Sequence, residues 1–266
     1  MLASSAMINT VEIRKLIFPF VAFLALQGIS AAEMPYLYHR GSAVMERSLS
    51  VEMESAYGTR EAGSLGEKGV EEGLRLRYGI LDGFWLEAWG GTLFDRGIYL
   101  GEAGSAEADV RLLNQYDQQV NLVLGAGAMR DFTGVLVPMA RLTLNRRLGK
   151  LDLLMTGMAQ KPMSVGRDSV DIIAGTAASF ETTINTRVGA EFMAEDLEGF
   201  WEEEEAEGGA RLIAGPTFFA ALEKGLELKL NAGWVYAATK SVLPDMTTAP
   251  KNESGFLGRV SFGYIF

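Results

Sequence analysis

The chain has 266 residues, room for one large all-β domain or two small ones, and its 48% hydrophobic and 22% charged content excludes disorder. Its formal charge of −10 excludes a nucleic-acid surface, which needs a basic patch to displace phosphate counterions. No run of eighteen apolar residues occurs, so no helix of this sequence spans a bilayer.

Cysteine is absent, which suits a protein exported through an oxidising compartment. Glycine is abundant at 31 residues against 7 prolines, and runs such as Gly125-Ala126-Gly127-Ala128 fit a curved sheet better than a helix. The N-terminus reads as a cleaved signal peptide over residues 1–32. Arg14-Lys15 is the basic part and Leu16 to Leu26 the apolar part. Ser30-Ala31-Ala32 supplies small residues before Glu33. Residues 33–47 read as a periplasmic segment, and 48–266 as the folded body.

From Ser48 onward one kind of segment recurs, alternating apolar with small or polar residues over a length that suits a tilted spanning strand. Ser48–Tyr57 sets Leu49, Val51, Met53 and Tyr57 against Ser50, Glu52 and Glu54. Gly73–Ile80 sets Leu74, Leu76, Tyr78 and Ile80 against Arg75 and Arg77. Phe84–Phe94 carries Trp85, Glu87 and Trp89 with no clear facing. Ala106–Leu113 opposes Ala108, Val110 and Leu112 to Glu107, Asp109 and Arg111. Val120–Met129 and Leu136–Asn145 follow, with Leu142 and Leu144 opposite Arg141, Thr143 and Asn145. Leu151–Ala159 presents Leu151, Leu153 and Met155. Val170–Phe180 opposes Val170, Ile172 and Ala174 to Asp171, and Ile184–Ala194 opposes Val188, Ala190 and Phe192 to Arg187 and Glu191. Ala210–Leu222, which contains Arg211, and Leu226–Tyr236 precede the last strand, for about twelve in all.

The connections alternate in length. Leu81-Asp82-Gly83, Asn114–Gln118, Arg146–Lys150, Glu181-Thr182 and Glu223-Lys224-Gly225 read as tight turns. Gly58–Glu72, Asp95–Ser105, Lys161–Asp168, Glu195–Gly209 and Ala237–Ser254 read as long loops. The step at Arg130–Thr133 falls where a long loop is expected and is short. Long outer loops alternating with short inner turns are the pattern of a membrane barrel with both termini on the inner side. A soluble sandwich also alternates, with its apolar face toward a core. The signal segment, strand length, loop alternation and aromatic ending select the membrane barrel.

That ending is a period-two strand in which Val260, Phe262, Tyr264 and Phe266 share an apolar face opposite Arg259, Ser261 and Gly263. With the strand rhythm over 48–266, these four residues make the chain resemble the Gram-negative outer-membrane β-barrel class, in particular small barrels of the transporter type. The resemblance implies that Val260, Phe262, Tyr264 and Phe266 form the signal read by the barrel-assembly machinery. It also implies a location in the outer membrane, among its lipids and lipopolysaccharide. The expected fold is all-β: a single closed antiparallel transmembrane barrel of about twelve strands.

Twelve strands lie between the eight that side chains fill and the sixteen that leave a water channel. Candidate lumen-lining residues are Glu52, Glu54, Arg75, Arg77, Asp109, Arg111, Arg141, Asp171, Arg187, Glu191, Arg211 and Arg259. If they interlock, the barrel is closed and structural; if they line opposite walls, a narrow path for small solutes remains. The acidic stretch Glu195, Asp196, Glu198, Glu202, Glu203, Glu204, Glu205 and Glu207 is a possible cation-binding loop, because hard cations take several carboxylate oxygens. It lacks the regular calcium-loop spacing. The one histidine, His39, precedes the first strand, which disfavours a membrane-embedded lipid hydrolase. The glycines at 125 and 127 lie inside a strand, whereas a phosphate loop needs a helix after them. No cofactor and no catalytic residue are expected. The reading is a narrow channel or transporter for small solutes, or else a closed barrel with acidic outer loops.

Overall fold

A computed structural model describes residues 46–59, 69–114, 120–163, 170–195, 197, 211–222, 225–237, 241–242, 248–249 and 254–266. Its barrel strands are β1 (Leu49–Gly58), β2 (Gly69–Leu81), β3 (Phe84–Asp95), β4 (Ile98–Leu113), β5 (Asn121–Arg130), β6 (Leu136–Leu148), β7 (Leu151–Gln160), β8 (Asp171–Thr183), β9 (Thr186–Glu195), β10 (Arg211–Ala221), β11 (Leu226–Ala237) and β14 (Gly255–Ile265). The two-residue strands β12 (Ser241–Val242) and β13 (Thr248–Ala249) pair with each other in the connection before β14.

Each barrel strand pairs antiparallel with its neighbours, and β14 closes the sheet on β1, with Ser50 opposite Ile265 and Gly58 opposite Leu257. The backbone N–H of Phe266 donates to the Leu49 carbonyl at 2.8 Å, so pairing runs to the end of the chain. Closure leaves no unpaired edge along the wall, which a sheet surrounded by hydrocarbon requires.

Alternation sorts the side chains. Outward positions are apolar and exposed: Met53 at 65%, Tyr78 at 47%, Phe180 at 50%, Trp234 at 57% and Phe262 at 52%. Inward positions are small, polar or charged and buried. An apolar belt around a polar interior is the reverse of a soluble domain and fits a wall that meets lipid.

Three local expectations change. Asp95–Ser105 is not a long loop: β3 and β4 join through Arg96-Gly97, both with left-handed backbone (φ 49° and 80°), the turn that matches the twist of paired strands. The sequence hides this because Gly101, Glu102 and Gly104 imitate a loop, although they sit in β4, the 16-residue strand. The Gly58–Glu72 loop is shorter than expected, since β2 begins at Gly69. β8 continues through Thr183, beyond the expected Glu181-Thr182 turn. The facing of Trp85, which the sequence leaves open, is inward: it is 1% exposed and packs against Val123.

Both termini of the barrel and the β2–β3, β4–β5, β6–β7, β8–β9 and β10–β11 connections lie at one end, the turn end. The β1–β2, β3–β4, β5–β6, β7–β8, β9–β10 and β11–β14 connections lie at the other, the loop end. The signal segment 1–32, His39 and most of 33–47 fall outside the described residues.

Candidate functional site: the barrel interior

Charged inward side chains form three clusters, each confined to neighbouring strands. In the first, Glu52 of β1 accepts from Lys229 Nζ of β11 at 3.0 and 3.1 Å and from Arg77 Nη2 of β2 at 3.1 Å. It also accepts from the Ser261 hydroxyl on the intervening β14. Arg75 links Glu54 (Nε–Oε1 2.7 Å) and Glu87 of β3 (Nη1–Oε1 3.0 Å). These contacts follow from register. Glu52 is opposite Arg75 and Arg77 is opposite Glu87, so each long arginine reaches a carboxylate one step along the neighbouring strand.

In the second cluster Arg141 of β6 crosses β5 to reach β4, with Nε 2.9 Å from Glu107 Oε1 and Nη2 2.8 Å from Asp109 Oδ1. Gly125 on β5 makes this possible, since a Cβ there would collide with both carboxylates. In the third, Arg187 of β9 pairs with Asp152 of β7 across Ser179 of β8. Arg147 pairs with Glu181 nearby. All three use the same device: a small residue on the middle strand lets ions on its two neighbours meet.

The pairs run along the wall. Each of these named pairs spans at most two strand spacings, roughly 10 Å. They neutralise buried charge locally, as ions removed from water require. The excess is acidic. Among described residues the buried carboxylates are Glu52, Glu71, Glu87, Glu107, Asp109, Asp152, Glu191, Glu195 and Glu227, against the buried cations Arg77, Arg141, Arg187 and Lys229.

Of the other expected lumen residues, Arg111 is held at the turn end, its Nη2 2.6 Å from Asp82 Oδ1. Asp171 is half-buried opposite Gln160, and Arg211 is half-buried opposite Glu195. Glu191 is buried and Arg259 is half-buried opposite Asn231. Glu195 is buried at the end of β9; Asp196, Glu198, Glu202, Glu203, Glu204, Glu205 and Glu207 lie outside the described residues. On β14, Phe262 points outward, and Tyr264 and Phe266 stack edge-on with centroids 4.7 Å apart. Val260 is half-buried on the same face.

One feature at the loop end went unread in the sequence. Ala56, Leu93, Ile213, Val235 and Leu257 form a buried apolar cluster, with Met193 packed against it. Phe132, from the five-residue β5–β6 connection, packs against the same cluster and meets Trp89 edge-on, centroids 6.2 Å apart at 85°. Asp131 fixes the connection: its Oδ1 accepts from the Thr133 N–H at 2.9 Å, the Thr133 hydroxyl at 2.7 Å and the Val135 N–H at 2.9 Å. Gly101 gives the connection room, since a Cβ there would meet the Phe132 carbonyl oxygen at 2.7 Å. Asp-x-Thr followed by glycine is a recognisable side-chain-capped turn, but nothing in the sequence says that it bends inward.

No protein-family model and no curated protein sequence matches the chain. Solved structures do. The KdgM porin, known alone and in complex with disordered oligogalacturonate, superposes with a TM-score of 0.56 at 8% identity over 82% of this chain and 99% of its own. The NanC porin gives 0.55 at 10% identity over 80% and 98%. An outer-membrane channel from Pseudomonas putida F1 gives 0.54 at 12% identity over 90% and 100%. The fold is that of the small outer-membrane porins and channels: a closed twelve-stranded antiparallel barrel.

Proposed function

We propose that this protein is a narrow, non-enzymatic channel of the outer membrane that passes small neutral or cationic solutes. The carrying observation is the wall-hugging arrangement of the interior ion pairs. Arg75, Arg141 and Arg187 each satisfy carboxylates on adjacent or next-adjacent strands, so their pairing does not itself require a plug. The barrel fold it shares with porins supports the same reading.

The solute class follows from charge. The KdgM porin is known with oligogalacturonate, a polyanion. Here buried carboxylates outnumber buried cations, and a polyanion entering such a wall meets repulsion. Val260, Phe262, Tyr264 and Phe266 serve as the signal for the barrel-assembly machinery. The acidic segment from Glu195 to Glu207 meets lipopolysaccharide or divalent cations at the cell surface.

Conductance of the purified full chain in planar bilayers tests the proposal. Ohmic currents are expected, rising when Arg75 and Arg77 are both replaced by Ala. A silent protein, in wild type and variants alike, supports the second reading, a closed barrel. The apolar cluster with Phe132 at the loop end favours that reading for the resting state.

A further inference from the structure

The outward wall is not uniformly apolar. Ser55, Glu72, Thr92 and Glu102 are register neighbours across β1 to β4, all on the lipid side and near the loop end. The Ser55 hydroxyl donates to Glu72 Oε1 at 2.8 Å. Arg130 of β5 lies opposite Gly104, diagonal to Glu102 on the same outer face. Glu102 and Arg130 are both exposed, and neither makes an ion pair among the described residues. On the turn side of these charges the wall is smooth from β3 to β6. One row reads Ala88, Ala106 and Ala128, and the next Ala108, Ala126 and Ala140. On the far side of the barrel the outer face carries Leu230, Trp234 and Phe262 instead.

We propose that a second copy of the chain docks on this β4–β5 face, about a two-fold axis along the membrane normal that sets Glu102 of each protomer against Arg130 of its partner. Barrel strands tilt, so a register row climbs toward the loop end by about 3 Å per strand. The row from Ser55 to Glu102 follows that rule: Ser55 lies six residues from Leu49 at the turn end, and Glu102 eleven from Leu113. Arg130 sits two residues below that row but one strand further on, so it is level with Glu102 to within about 2 Å. A two-fold axis along the normal preserves height, and the two opposite charges therefore meet their complements. Unpaired charge on a lipid-facing wall is costly, and pairing across an interface removes that cost. Within hydrocarbon, association depends on close packing, and small residues let two backbones approach. A face from β3 to β6, about 20 Å wide, and an apolar belt about 25 Å tall give about 500 Å² per copy. The total of about 1,000 Å² reaches the lower bound of a specific interface. Lipopolysaccharide is the rival cover. Its phosphates match Arg130 but repel Glu102 and Glu72, whereas a second copy supplies both signs.

The interface lies on the outer wall and is independent of conduction. The chain has no cysteine, so single cysteine substitutions report contact cleanly. Ala106→Cys on β4, oxidised in outer membranes from cells expressing the full chain, is expected to give a disulfide-linked dimer on non-reducing gels. Ala128→Cys on β5 is expected to do the same, so the test stands if either variant fails to fold. Phe180→Cys, exposed on β8, is expected to stay monomeric. Glu102→Arg or Arg130→Glu, each added to Ala106→Cys, should lower the dimer yield about tenfold, since two symmetry-related pairs become repulsive. The double charge reversal should restore it. Heat-modifiable gel mobility checks that each variant is folded. Folded Ala106→Cys and Ala128→Cys barrels that stay monomeric overturn the proposal. So does dimer formation by Phe180→Cys at the same yield, a folded double reversal that restores nothing, or a monomer that retains lipopolysaccharide through Arg130.

Discussion

Arg141 of β6 holds Asp109 of β4 by reaching over Gly125 of the strand between them, 2.8 Å from Nη2 to Oδ1. Glu107 accepts from the same guanidinium, and all three charged groups are buried. Removing the arginine leaves two carboxylates facing each other away from water. Arg141→Ala is expected to cost about 3–5 kcal/mol. Arg141→Met combined with Glu107→Gln and Asp109→Asn should recover most of that. Asp82→Asn, which breaks the exposed Arg111 pair, should cost no more than about 1 kcal/mol. Urea unfolding of the refolded barrel measures all three. A loss for Arg141→Ala no larger than that for Asp82→Asn counts against a structural role for the cluster.

Phe132 closes apolar surface over the loop end of the lumen. Truncating it removes the ring that meets both Trp89 and the Ala56–Leu257 cluster, and an apolar constriction that loses its widest side chain wets more readily. Single-channel conductance of Phe132→Ala should exceed that of wild type. Gly101→Val should act in the same direction, because its side chain pushes against the Phe132 carbonyl. Unchanged currents in both variants place the narrowest point elsewhere.

The acidic excess of the interior sets a selectivity. Under a salt gradient the reversal potential should show cation preference, weakening as ionic strength rises and screening shortens. Replacing Glu191 and Glu227, both buried on the inward face, with Gln should move the reversal potential toward zero. An anion-selective wild type contradicts the proposed solute class.

Tryptophan exposure checks which face meets lipid. Trp234 is 57% exposed on the outward face, whereas Trp85 is 1% exposed and faces inward. In vesicles of brominated lipid, Trp234→Phe should lose much of the fluorescence quenching and Trp85→Phe should keep it. Equal behaviour of the two variants sinks the assignment of the outer wall.

Much of the wall was legible because a strand with one oily face needs only period-two spacing to declare itself. Glu52 beside Met53, Arg75 between Leu74 and Leu76, and Arg141 beside Leu142 show their facing without any knowledge of neighbours. β3 was ambiguous because Ala88, Gly90 and Gly91 carry too little side chain to mark a face. The pairings of Glu52 with Lys229 and of Arg141 with Asp109 depend on strand order and register across two strands, which spacing along one segment does not encode. The charges of Glu72 and Glu102 were hidden for a different reason. They share the lipid side with leucines, so a rule that sends charge inward assigns them to loops. Phe132 was missed because a short polar step reads the same whether it points to solvent or folds over a lumen.

The pairing of β14 with both β1 and β11 has a consequence for biogenesis. A chain that stops before Gly255 leaves unpaired the β1 edge from Ser50 to Gly58 and the β11 edge from Leu226 to Val235. Such a fragment has no partially inserted form of low energy in hydrocarbon. Completion of the wall therefore waits on the last strand, without which no closed surface faces hydrocarbon.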